Sequence, residues 1–116
     1  MGTNSIMARM TKGAPEPEVG MGATIIMWSD RHAATIIEVA RFKTGARAGQ
    51  VKAVTVQEDH AQRVDKNGMG DNQHYVYLPN PQGNTWTFKV RPNGSFGDKM
   101  WSLAIGFRDE HYDFSL

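Results

Sequence analysis

The run Ala23–Trp28, ATIIMW, is short and almost continuously apolar, the mark of a buried strand. Ser29-Asp30-Arg31-His32 follows as a polar tight turn, and Ala34–Phe42 returns as a second strand. There Thr35, Ile37, Val39 and Arg41 alternate with Ala34, Ile36, Glu38 and Ala40. Thr44–Gly49 is a Gly-containing loop, and Val51–Gln57 alternates apolar with polar as a third strand. Tyr75–Leu78 predicts a short strand closed by Pro79-Asn80-Pro81-Gln82-Gly83-Asn84. Thr85–Arg91 sets Trp86, Phe88 and Val90 on one face, and Pro92-Asn93-Gly94 reads as a hairpin turn. Ser102–Phe107 completes the series.

About six short strands at roughly 8 to 12 residue spacing imply an all-β fold. The expected architecture is a small SH3-like barrel or a compact antiparallel sandwich with an N-terminal tail. Residues 1–19 lack periodicity and contain Pro15 and Pro17, which favour extended chain. They are read as a tail that orders on a partner chain, and residues 20–116 as one β-barrel-like domain.

Composition narrows the chemistry. The 116 residues include no Cys, which removes disulfides, zinc fingers and thiol catalysis. No apolar run approaches the roughly 20 residues that span a bilayer, and no signal-peptide core is visible. The expected location is therefore the cytoplasm, and Asn93-Gly94-Ser95 is a turn rather than a glycosylation acceptor. A net charge of +1 gives no strong field toward nucleic acid. Arg41, Lys43, Arg47 and Lys52 do cluster around one loop, a pattern that solvated surface also explains.

Between the third and fourth predicted strands lies a long polar stretch, Gln57 to Tyr75, bent by Gly68 and Gly70. Connections of this length in small domains are functional or disordered. Asp65-Lys66-Asn67-Gly68-Met69-Gly70-Asp71 has the flavour of a calcium loop. Counted from Asp65, however, position 5 is Met69 and position 12 is Val76, where such a loop needs oxygen ligands. His32, His60, His74 and His111 are too scattered for a zinc motif. Asp59 with His60 offers acid and base but no accompanying nucleophile. Gly20-x-Gly22 and Gly45-x-x-x-Gly49 lack the Lys-Ser/Thr of a phosphate loop. No catalytic residue, metal or cofactor is expected.

A binding pocket uses the remaining polar groups more economically. Trp28, Tyr75, Tyr77 and Trp101 offer flat faces for a base, at roughly 1 to 3 kcal/mol per stacked base. Arg31, Arg63, Arg91 and Arg108 offer forked donors for phosphate, while Gln57, Asn67 and Gln73 offer amides for base edges. Drawn from these and joined by Asp30, His32 and Asp59, the candidate ligand-binding set is Trp28, Asp30, Arg31, His32, Gln57, Asp59, Arg63, Asn67, Gln73, Tyr75, Arg91 and Arg108. Against it stands the plainer assignment of the tryptophans to the core and the arginines to solvated surface.

Gly20-Met21-Gly22-Ala23-Thr24, Ser29-Asp30 with Thr35-Ile36-Ile37-Glu38-Val39, Arg63-Val64-Asp65-Lys66-Asn67-Gly68-Met69 and Asn80-Pro81-Gln82-Gly83 carry a resemblance. It continues through Arg91-Pro92-Asn93-Gly94, Gly106-Phe107-Arg108 and Tyr112-Asp113-Phe114-Ser115-Leu116. Together they resemble a family of small uncharacterised proteins encoded by phages and prophages. The resemblance implies an accessory protein acting in the cytoplasm of an infected bacterium. It points to an anti-defence sponge that sequesters a cyclic nucleotide immune signal without cleaving it, as a homo-oligomer. Two other classes compete. One is an anti-CRISPR-like, protein-binding inhibitor of a defence complex; the other is an SH3-like nucleic-acid module using Lys43, Arg47 and Lys52.

Overall fold

The computed structural model describes residues 15–64 and 75–111. These form eight strands and no helix: β1 Gly22–Met27, β2 Asp30–Arg41, β3 Val51–Glu58, β4 His60–Arg63, β5 Tyr75–Leu78, β6 Thr85–Lys89, β7 Phe96–Gly97 and β8 Ser102–Ile105. Six of them make one antiparallel sheet in the order β6-β3-β2-β1-β8-β7. A bridge between Val90 and Phe96 ties the two ends together and nearly closes the sheet into a barrel. The β1-β2-β3 meander, flanked by β8 on one side and β6 on the other, makes a small antiparallel barrel. The all-β expectation and its six-stranded scale both hold. β4 and β5 form a separate two-stranded arm.

Alternation explains the interior. Ala23 and Ile25 on β1, Ala34 and Ile36 on β2, Val54 and Val56 on β3, Phe88 on β6 and Leu103 and Ile105 on β8 fill the barrel. Burying each large apolar side chain contributes roughly 1.5–3 kcal/mol. In β2 the register against β3 shifts between Ile36 and Glu38. That bulge leaves Ile37 and Glu38 exposed and returns Val39 to the core side. Strict alternation had put Glu38 on the same face as the buried Ile36; the extra residue removes a charge from the core.

Three boundaries differ from the sequence reading. The β1–β2 turn is Trp28-Ser29, not Ser29 to His32, and Asp30, Arg31 and His32 already belong to β2. Polar side chains sit in that strand because the segment after β8 lies against them. The stretch Gln57 to Tyr75 is not one loop, since it includes the end of β3, all of β4 and the start of β5. A paired arm hydrogen-bonds its own backbone without apolar alternation, so hydropathy gave no signal for it. β7, two residues long, was not anticipated.

Residues ahead of β1 lie along the barrel. The Gly20 amide donates to the Ile36 carbonyl at 2.8 Å, and Arg41 pairs with Glu16 at 3.1 Å.

Candidate functional site

The segment after β8 runs as a strap across the outside of the barrel. Thr24 Oγ1 donates to the Phe107 carbonyl at 2.9 Å. Arg108 Nε then donates to Asp59 Oδ2 at 2.8 Å and Nη2 to Thr35 Oγ1 at 2.9 Å, while Thr35 donates to Asp59 Oδ1 at 2.6 Å. Arg31 Nε lies 3.0 Å from Asp109 Oδ2. Glu110 accepts the Ala33 amide at 2.8 Å on one oxygen and meets His32 Nδ1 at 2.9 Å on the other. Finally His111 pairs with Arg31 through both backbone hydrogen bonds. β3 stops opposite Ala34, and the strap takes over this uncovered edge of β2.

Four sequence-nominated residues thus meet here: Arg31, His32, Asp59 and Arg108. His32, Asp59 and Arg108 hold the strap by hydrogen bonds, and Arg31 by its ion pair with Asp109. Asp59, the candidate base, has both oxygens occupied and a nearly buried side chain, and His60 faces away on the exposed side of the arm. Hydrogen bonding to Glu110, opposed by burial, raises the His32 pKa. Burial and the Asp109 and Glu110 carboxylates push up that of Tyr77, which seats the arm against the strap.

The other nominated residues separate. Gln57 holds the Pro81 and Gly83 carbonyls at 3.0 and 3.3 Å, fixing the loop before β6. Arg63 and Tyr75 face each other across the arm. Asn67 and Gln73 lie outside the described residues. Asp30 pairs with Met27 at the hairpin turn. Of the basic loop, Arg41 is held by Glu16 and the Gly49 carbonyl, and Arg47 lies over the Phe42 ring at 4.7 Å. Among the described residues no three acidic or His side chains gather as a metal site.

Arg91 leads to a second region. Its guanidinium donates to Ser102 Oγ at 3.1 Å and to the Asp98 and Trp101 carbonyls at 2.9 and 3.0 Å, clamping the β7–β8 turn. A Cβ at Gly97 would collide with that guanidinium and stand 2.6 Å from the Trp101 backbone carbonyl, which has no room to yield. Asp98 caps the same turn by accepting the Met100 and Trp101 amides at 2.8 and 2.7 Å, which lowers its pKa. Beside this rigid turn the barrel is open. The bridge that joins the two ends is the isolated Val90–Phe96 pair just past β6, and the seam beside it holds a cleft of about 460 Å³. Thr87, Lys89 and Arg91 line one side, and Gly97, Asp98 and Lys99 the other. Its volume lies within the roughly 300–1,000 Å³ of small-molecule sites. Against the core, Trp86 of β6 and Trp101 just before β8 pack edge to face at 4.9 Å.

Sequence reasoning missed Lys89 and Lys99. The outward position of Lys89 was readable from core-facing Phe88 and Val90, but its meeting with Lys99 depends on barrel closure.

No family model, curated protein or solved structure matches the chain. Among the described residues no helix is long and apolar enough to cross a membrane.

Proposed function

We propose that the chain is a phage anti-defence protein that sequesters a cyclic nucleotide immune signal, bound through its phosphates in the seam cleft and not cleaved. The observation that carries this reading is the cleft itself. Two lysine side chains from opposite walls flank a volume suited to a nucleotide, and the Arg91 clamp fixes the turn that carries one of them. The two ammonium groups supply charge-assisted contacts to phosphate oxygens. Asp98, the carboxylate of the cleft lining, accepts two amides of its own turn, which supports binding without turnover.

Isothermal titration against cyclic di- and trinucleotides and cyclic ADP-ribose isomers tests this, followed by chromatography of the released ligand. Saturable heat with one of them, loss of that heat in a Lys89→Ala/Lys99→Ala double variant, and recovery of intact ligand are expected. Absence of heat with the whole panel overturns the reading.

A second reading rests on the arm. Val76 and Leu78, about half exposed, share one face of β5, and Val64 at the end of β4 is also exposed. Such a face suits a protein-binding inhibitor of a defence complex. It predicts one stoichiometric partner from host lysate, lost in Val76→Ser/Leu78→Ser.

A further inference from the structure

Trp28 is the one non-glycine residue among those described with positive φ, at 41°. It occupies the first of the two turn residues between Met27 and Asp30, and Ser29 is not left-handed. This is the φ sign pattern of a type II′ turn, whose first position favours glycine. For a bulky side chain it is strained. Strain of this kind persists where burial compensates it or where function requires it. Burial does not compensate here, because Trp28 is 85% exposed. The turn therefore holds a large aromatic ring in water.

The ring's location suggests its use. β1 runs beside β8, with Ile26 opposite Ser102, and β7 pairs Gly97 with the same Ser102. The Trp28 turn and the Asp98–Trp101 turn are consequently neighbours at one end of the barrel. Lys99, on the cleft wall, belongs to that second turn, and Met100 beside it is 68% exposed. A ligand with its phosphate in the seam and long enough to pass Lys99 would meet the exposed Met100 and Trp28.

We infer that Trp28 is the base-stacking platform of the seam site, so that the ligand class is a phosphate joined to an aromatic heterocycle rather than a sugar phosphate or inorganic anion. This rests on the phosphate-binding reading of the cleft and adds the base. Indole faces stack any nucleobase, and the exposed rim leaves room for one.

The test compares two probes, the tightest member of the cyclic nucleotide panel and inorganic pyrophosphate, on wild type, Trp28→Ala, Trp28→Phe and Lys89→Ala/Lys99→Ala. Calorimetry and indole fluorescence are read together. Trp28→Ala should weaken the nucleotide about tenfold or more, abolish its quenching and leave pyrophosphate unchanged. Trp28→Phe should retain most of the affinity, and the double lysine variant should lose both probes. Unchanged nucleotide affinity in Trp28→Ala, with the lysine variant still deficient, overturns the platform and leaves the cleft standing. Failure of wild type to bind any panel member overturns both.

Discussion

Arg108 crosses the outer face of β1 directly over Gly22, where a Cβ would stand 2.7 Å from Nη1 and 2.9 Å from Cγ. The missing side chain is what gives the guanidinium its path to Asp59 and Thr35. Gly22→Ala should displace Arg108 and cost about 1–3 kcal/mol of stability, measured by urea unfolding. Gly22→Ala combined with Arg108→Ala should cost less than the sum of the two. Strict additivity would show that the crossing carries no energy.

Asp59→Asn removes the charge that Arg108 answers while keeping the shape. Because Arg108 is about one-third exposed and partly solvated, the expected loss is about 2 kcal/mol rather than that of a fully buried pair. Ligand affinity in the seam should not move, since Asp59 lies outside the cleft lining. A large affinity loss at unchanged stability would falsify the structural assignment of Asp59.

His32 gives the fold a pH dependence of definite sign. Its folded pKa is raised above 6.5 through the Glu110 hydrogen bond, with Glu58 and Asp30 adding negative charge nearby and burial opposing. The stabilisation is fully present below the unfolded value and disappears as pH rises through the folded one. Urea midpoints should therefore fall between about pH 6 and about pH 9, before lysine or tyrosine titration intervenes. His32→Gln should flatten that slope, and a wild-type midpoint that rises over the interval contradicts the assignment.

Trp28→Gly should make the protein more stable, by about 1 kcal/mol, because glycine takes the II′ position without strain and the exposed indole gives up no packing. Differential scanning calorimetry reads this as a raised Tm. A lowered Tm would mean that the indole packs on the fold after all.

Much of the barrel was legible because its walls alternate or run apolar: Ile25, Val54, Val56, Phe88 and Leu103 all lie where their patterns put them. Glu38 defeated the pattern because a bulge is a property of two strands and shows in neither alone. His60–Arg63 stayed hidden because a polar arm satisfies its backbone by pairing, which leaves no hydropathy trace. The nominated arginines illustrate a different limit. Residue chemistry marked them as phosphate donors, yet Arg91 and Arg108 spend their donors on carbonyls, hydroxyls and Asp59. Type announces what a side chain can bond, and only the fold decides whether its partner is already present.

The incomplete closure between β6 and β7 leaves two sheet edges uncovered, the kind of surface on which other chains polymerise. Lys89 stands on one of those edges and Lys99 on the turn beside the other, and like charges so placed disfavour an incoming copy. A phosphate ligand would cancel that repulsion. It would do so from within the gap, occupying the edges as it neutralises their guards, so the loaded protein loses its charge barrier without exposing a template for fibre growth.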